Sequence, residues 1–147
     1  MHNPSTSKMK IELPLISGGP PEINGNSIFI FEVEGLCIGH LGHLHHEPTD
    51  EQFAAIGRLD IVMAAVDGGM TLPTETMVRI MKRLKSSVVI PMHWFGRFTL
   101  DRFLAEMSDE FDIRQANGSE YVVSLRDLPR RPTVMVLEPR FIQEFDE

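Results

Sequence analysis

The chain has 147 residues, of which 42% are hydrophobic and 24% charged, so it is long enough for one domain with its own core. Its formal net charge of −7 argues against nucleic acid or an anionic membrane as the main partner, because both need a basic surface. No apolar run approaches the roughly 18 residues of a membrane helix, and the N-terminus lacks the pattern of a secretory signal. We therefore expect a cytoplasmic protein.

The first quarter of the chain predicts strands connected by turns. Residues 10–13 alternate between polar and apolar side chains, as in a half-buried strand. Residues 17–26 are rich in glycine, proline and asparagine and predict a loop. Residues 27–34 are mostly aromatic and β-branched, and residues 36–40 return after Gly35. The pair predicts an antiparallel hairpin.

The middle of the chain alternates predicted helices with buried strands. Thr49 and Gln52 fit a capping box, which predicts a helix that continues to about Leu59. Residues 60–66 form a continuous apolar run, typical of a strand covered on both faces. Pro73 suits the first turn of a second helix. The inward face of that helix is predicted from helical spacing to comprise Met77, Ile80, Met81 and Leu84.

The last third continues the same alternation. Residues 87–93 predict another buried strand, and Thr99 can cap a third helix. Residues 120–125 and 133–137 predict closing strands. Helices that alternate with buried strands predict an α/β fold built in layers.

The histidines are clustered. Of six in the chain, His40 ends the predicted hairpin, three more follow it closely at His43, His45 and His46, and His93 ends the strand predicted at 87–93. Neutral imidazole binds zinc, iron and nickel well. Open α/β sheets bind ligands beyond the carboxyl ends of their strands. The sequence therefore predicts a metal site at that edge.

Neighbouring groups have more than one interpretation. Successive residues of an extended chain point to opposite sides, so at most one of His45 and His46 should face the same ion as His43; we choose His46. His40 is expected to orient another ligand or to pack in the core. Asp67, before two glycines, could be a catalytic base, a ligand or a turn residue. The single cysteine, Cys37, is expected in the core rather than as a nucleophile.

Residues 26–43, which run from Asn26 through the predicted hairpin to His40-Leu41-Gly42-His43, resemble the second half of the metallo-β-lactamase fold. The branch that this pattern is most similar to contains L-ascorbate-6-phosphate lactonase-like hydrolases. That branch continues with a helix, a strand ending in a Gly-Gly loop, a helix, and a strand ending Pro-Met-His. Asp67-Gly68-Gly69 and Ile90-Pro91-Met92-His93 stand at the matching places, and the resemblance extends over residues 24–137.

The resemblance implies a metal-dependent hydrolase of an ester, lactone or phosphoester of a small molecule. It assigns His93 to the metal. The family has a bridging aspartate where this chain has His43, and imidazole is a poor bridge between two ions. We therefore expect one ion rather than two, zinc or else manganese or iron, held by His43, His46 and His93, with Asp67 as the catalytic residue.

The family's first half carries a His-x-His-x-Asp-His motif that this sequence lacks. We therefore expect a single domain over residues 1–147 that forms only the C-terminal βα half of the fold. Residues 1–23 would be a loosely ordered lead-in, 24–137 the half-fold and 138–147 a tail. The alternative function is a truncated or non-catalytic domain that associates with itself, as a homo-oligomer, or with a missing N-terminal half.

Overall fold

The computed structural model of the chain describes residues 7–13, 26–42, 44–66, 72–92, 97–116 and 118–138. The strands within these ranges are β1 (Ser7–Leu13), β2 (Asn26–Val33), β3 (Leu36–His40), β4 (Ile61–Ala65), β5 (Val88–Met92), β6 (Asp112–Gln115) and β7 (Thr133–Val136). The helices are α1 (Asp50–Ile56), α2 (Thr74–Leu84) and α3 (Arg97–Met107), with a short 3-10 helix at Leu125–Asp127. None of these helices is long and apolar enough to span a membrane.

All seven strands form one sheet in the order β1-β2-β3-β4-β5-β7-β6. The first three are antiparallel to one another, and β3, β4, β5, β7 and β6 are parallel. Gly39 of β3 lies opposite Val62 of β4, which lies opposite Val89 of β5. Because these three strands run the same way, their carboxyl ends meet at one edge of the sheet, named the carboxyl rim. The edge where they begin is the opposite rim.

The predicted hairpin is confirmed: β2 and β3 pair around a two-residue turn. Glu34 and Gly35 both have positive φ, 52° and 84°, which matches the right-handed twist of the two strands. The capping box of α1 is also confirmed, since the Gln52 backbone N–H donates to Thr49 Oγ1 at 3.1 Å and the Thr49 N–H donates to Gln52 Oε1 at 2.9 Å.

One face of the sheet, named the helix face, is covered by the three helices. Val62 and Ala64 of β4 and Val89 of β5 point to this side, as the period-2 alternation of strands requires. Buried side chains of the helices pack on them: Phe53 and Ile56 of α1, Met77, Val78, Ile80 and Met81 of α2, and Leu100, Phe103, Leu104 and Met107 of α3. The main hydrophobic core lies between these two layers.

Of the residues that the structure describes, those that cover the other face form one extended segment, residues 118–128, named the strap. Near the carboxyl rim the Glu138 backbone N–H donates to the Gly118 carbonyl oxygen at 2.9 Å. Near the opposite rim Leu125 Cδ2 lies 3.1 Å from the position that a Cβ on Gly35 would occupy. Between these points Tyr121, Val123 and Leu128 pack on buried residues of the sheet. We call this side the strap face.

Two sequence predictions need correction. Residues 120–125 are not a strand but part of the strap and of the 3-10 helix, and the strand at the sheet's edge is β6, Asp112–Gln115. Tyr121 and Val123 are half-buried, whereas Glu120, Val122 and Ser124 are exposed. This alternation reflects packing on a sheet face, which has the same period as a strand within a sheet. Helix α3 begins at Arg97, before Thr99.

Candidate functional site at the carboxyl rim

The carboxyl ends of β3, β4 and β5 lie side by side. Ala65 of β4 is paired with Met92 of β5, and the ladder extends one residue further, since the Val66 backbone N–H donates to the Met92 carbonyl oxygen at 2.9 Å. On the other side of β4, the Leu41 N–H donates to the Met63 carbonyl oxygen at 3.1 Å. Adjacent strands are about 4.8 Å apart, so the exits of β3 and β5 are separated by roughly 10 Å.

The sequence places chemistry-bearing residues directly after these exits. Asp67 follows Val66, His93 follows Met92, and His43 lies three residues after the end of β3. His43, Asp67 and His93 are themselves outside the described residues, so their predicted roles stay predictions. What the structure does establish is that the strands preceding all three end at one rim.

The segment after β3 is anchored on both sides of position 43. Leu41 and Leu44 are each 1% exposed and belong to the helix-face core. The Gly42 backbone N–H donates to Nδ1 of the half-buried His40 at 3.2 Å, and Gly42 has a φ of 62°, which glycine adopts readily. The described neighbours of His43 therefore have defined positions.

His46, the third predicted ligand, is described and is exposed to solvent, as is His45. Among the described residues, no group of three histidine, cysteine, aspartate or glutamate side chains could hold a metal ion. A complete ligand set would thus have to draw on residues outside the described ranges, which include His43, Asp67 and His93. The assignment of His46 stays a prediction.

Glu47, next to His46, is held by α2. Arg79 donates to its carboxylate from Nε at 3.1 Å and from a terminal nitrogen at 2.8 Å. These hydrogen bonds favour the charged form and keep the pKa of Glu47 below its ordinary value of 4.5. The carboxylate of Glu47 is therefore engaged with Arg79, and the segment bearing His45 and His46 is tied to a helix.

One residue near the rim was missed by the sequence reasoning. Phe98, in the first turn of α3, follows the 93–96 segment and is 79% exposed. The signal was available, because Phe98 falls outside the inward face formed by Leu100, Phe103 and Met107. An exposed aromatic ring in this position could contact an apolar part of a small-molecule ligand.

A second polar group lies at the opposite rim. The Asp60 carboxylate, 5% exposed, accepts a hydrogen bond from the Cys37 backbone N–H at 2.8 Å and pairs with Arg58 at 3.1 Å. Arg58 also approaches Cys37 Sγ at 3.8 Å. Cys37 is half-buried and packs against the helix-face core. This cluster joins β3 to the start of β4 and lies away from the carboxyl rim.

The comparisons with known proteins agree with this architecture. A family model described as the beta-lactamase superfamily domain matches residues 6–93, more than half of the chain. A proposed Zn-dependent hydrolase of the metallo-beta-lactamase superfamily from Thermotoga maritima has a similar structure, with a TM-score of 0.71 and 23% sequence identity. The match covers 93% of this chain and 70% of that one.

The metallo-beta-lactamase fold protein YhfI from Bacillus subtilis also has a similar structure, with a TM-score of 0.56 and 10% sequence identity. That match covers 95% of this chain and 51% of the YhfI chain. Among proteins of curated function, none matches significantly. At these identities the structural likeness concerns the fold. It confirms the predicted fold class: α/β layers that correspond to part of a metallo-beta-lactamase fold.

Proposed function

Because the chain belongs to the beta-lactamase superfamily, we propose that it is a metal-dependent hydrolase of an ester, lactone or phosphoester. The substrate is a small molecule, and the motifs of the chain resemble those of the L-ascorbate-6-phosphate lactonase-like branch. The ion is zinc, or else manganese or iron, and one is bound rather than two. The observation that supports the proposal is the parallel register of β3, β4 and β5, by which the strands that precede His43, Asp67 and His93 in the sequence end at one rim.

The proposed ligands are His43, His46 and His93. Imidazole nitrogens are donors that zinc accepts in catalytic sites, which use three protein ligands and one open position. A bound zinc ion supplies Lewis-acid chemistry and lowers the pKa of a coordinated water to near 7. This donor set fits the ion, and the strand exits are close enough in the sheet for two imidazoles to approach a common point.

Asp67 is proposed as the catalytic residue because it follows β4, the strand between those that precede His43 and His93. As a carboxylate it would accept a proton from the nucleophilic water during attack on the substrate. Phe98, at the start of α3, would contact the apolar part of the substrate. Glu47, next to His46, is paired with Arg79, so its carboxylate is already engaged in an ion pair.

The first experiment measures metal binding. Purified chain, stripped with a chelator, is titrated with zinc in competition with a chromophoric chelator. We expect about one equivalent to bind, and we expect His43→Ala and His93→Ala each to weaken binding at least tenfold. His2→Ala is the matched control, because His2 lies outside the histidine cluster in sequence. A wild-type chain that binds neither zinc, manganese nor iron would overturn the proposal.

The second experiment separates catalysis from binding. The zinc-loaded chain is assayed on generic phosphodiester, lactone and carboxylic ester substrates. Asp67→Asn should keep zinc affinity within a few-fold of wild type and lower the rate by roughly 10²–10⁴-fold, as expected for a lost general base. Equal rates for the wild type and Asp67→Asn would exclude Asp67 from the chemistry.

The strap face favours a second candidate function, a non-catalytic domain that associates with a second copy or with an N-terminal half-fold. Ile28 and Ile30 of β2 pack in the helix-face core, so the alternation of the strand directs Phe29 and Phe31 to the strap face. Phe29 is 37% exposed, and Ile38 and Ile90 on this face are only half-buried. Apolar sheet faces of this kind often serve as interfaces.

Light scattering tests this candidate. An associating chain should give at least twice the monomer mass, and Phe29→Ser should shift the mass toward that of the monomer. Phe98→Ser is the matched control, since Phe98 is exposed but lies on α3. A monomeric chain that melts cooperatively at all accessible concentrations would contradict the need for a partner.

A further inference from the structure

We propose that His40 is a positioning residue, whose ring fixes the backbone of the segment that carries His43 before any ion is bound. The inference rests on the proposed function in that His43 is taken as a metal ligand. It is carried by a contact within the described residues, the hydrogen bond from the Gly42 backbone N–H to His40 Nδ1 at 3.2 Å.

His40 is itself firmly placed. It is the last residue of β3 and is paired with Phe29 of β2 on one side and with Met63 of β4 on the other. Its side chain is half-buried, and the strand alternation puts it on the strap face beside Ile38. Because the backbone of His40 is paired on both sides, its side chain has a fixed point of attachment from which it can hold the chain that leaves the ladder.

The hydrogen bond also assigns the state of the ring. Gly42 N is a donor, so His40 Nδ1 must be the nitrogen without a proton, and in the neutral imidazole the proton is on Nε2. A metal ligand needs a bare nitrogen directed at the ion. With Nδ1 accepting from the backbone and Nε2 protonated, neither ring nitrogen of His40 is available to a metal ion. We therefore assign His40 the role of positioning the loop, in contrast to the proposed ligands of the histidine cluster.

Two further anchors act on the same segment. Leu41 and Leu44 are buried in the helix-face core, and the Leu41 N–H donates to the Met63 carbonyl oxygen. With the Gly42 bond, the residues that flank His43 are held at three points. Fixing a loop in its binding conformation reduces the entropy lost on binding and so raises affinity.

Two polar substitutions distinguish a positioning role through Nδ1 from a role as a metal ligand through Nε2. In His40→Asn the Oδ1 atom occupies the place of Nδ1 and can accept from the N–H two residues on, as in an Asx turn. In His40→Gln the polar group lies one bond further out, nearer the place of Nε2. Both variants are uncharged and similar in size, so they form a matched pair.

The first measurement needs no metal. In the stripped chain, hydrogen exchange of the Gly42 amide should stay near the wild-type rate in H40N and accelerate up to about tenfold in H40Q, the loss expected for one net hydrogen bond. Equal exchange rates in wild type, H40N and H40Q would overturn the proposal. Thermal melts of both variants confirm that the fold is retained.

The second measurement is zinc affinity by chelator competition. H40N should bind within about threefold of wild type, and H40Q about tenfold or more weaker, the usual effect of losing a group that orients a ligand. The reverse order would mean that His40 acts through Nε2, as a ligand, and would overturn the proposal. If the wild type itself binds no ion, the proposed function fails, whereas the Gly42 exchange rates still decide whether His40 holds the loop.

Discussion

The two faces of the sheet are covered in different ways. On the helix face, three helices bury their apolar stripes completely, and residues such as Phe103, Met77 and Met81 have no exposed surface. On the strap face, Leu36, Ile61, Val88 and Met135 are buried, but the residues around them are only half-buried. One extended segment shields a narrower strip than a layer of helices does.

The difference separates the source of stability from the surfaces available for function. The apolar area buried on the helix face supplies most of the folding free energy, because that energy scales with the area removed from water. The strap face retains partly exposed apolar side chains that could accept another layer. The carboxyl rim, with His40 on the strap face and Leu41 and Leu44 in the helix-face core, lies where the two sides meet.

The largest predicted effect is on the helix face. Phe103→Ala removes a fully buried ring from α3 and should lower the free energy of unfolding by about 3–5 kcal/mol, measured by urea denaturation. Phe98→Ala, on the same helix but 79% exposed, should change it by less than about 0.5 kcal/mol. Similar losses for both variants would mean that the helix face is not the main core.

The contrast between the faces also explains what sequence could predict. Strongly apolar runs and helical repeats gave β4, β5 and α2 correctly, because buried elements of this kind carry clear periodicity. The short edge strand β6 has only one half-buried apolar residue, Ile113, and was missed. The strap was mistaken for a strand, since Tyr121 and Val123 alternate as strand residues do.

The candidate site was predictable only in part. Histidines near strand ends indicated the rim, and the parallel register confirms that β3, β4 and β5 end there. The hydrogen bond from Gly42 to His40 could not be foreseen, because it depends on the backbone angles of a loop. Helical spacing already indicated that Phe98 falls outside the inward face of α3, but its 79% exposure depends on the tertiary structure.

A substitution at Gly39 would test how tightly the helix face is packed. A Cβ at this position would lie 2.6 Å from Cδ1 of Leu59, which is 1% exposed and has little room to move. Gly39→Ala should therefore lower the free energy of unfolding by about 1–3 kcal/mol, as overpacking does. Adding Leu59→Ala to Gly39→Ala would remove the atom that clashes. The double mutant should therefore lose less free energy of unfolding than the sum of the losses of the two single mutants. Strict additivity would contradict this explanation.

On the strap face, truncation of an aromatic side chain should lower the free energy of unfolding by less than Phe103→Ala does on the helix face. Tyr121→Ala removes a half-buried ring and should lower the free energy of unfolding by about 1–2 kcal/mol, less than full burial of an aromatic ring provides. Tyr121→Phe keeps the packing and should cost less than about 0.5 kcal/mol. A loss for Tyr121→Ala as large as that for Phe103→Ala would mean that the two faces contribute equally.

The smallest effect is expected on the solvent-exposed side of the helices, where ion pairs join exposed side chains. Arg79→Met removes both hydrogen bonds to Glu47 and should change the free energy of unfolding only slightly, and less at high salt. The pKa of Glu47, depressed by Arg79, should rise toward 4.5 in the variant, as followed by NMR titration.

The pH dependence of this pair has a defined sign. Because the folded-state pKa is the lower one, the pair's contribution is present above pH 4.5 and is lost as the pH falls through the folded value. Arg83→Met, which breaks the ion pair with Asp50 and the contact with the Phe53 ring at 4.0 Å, is the matched control on α2. It should leave most of the depression of the Glu47 pKa in place, since Arg79 is the hydrogen-bond donor. If both variants raised that pKa equally, the depression would come from the general positive charge of α2 rather than from one bidentate pair.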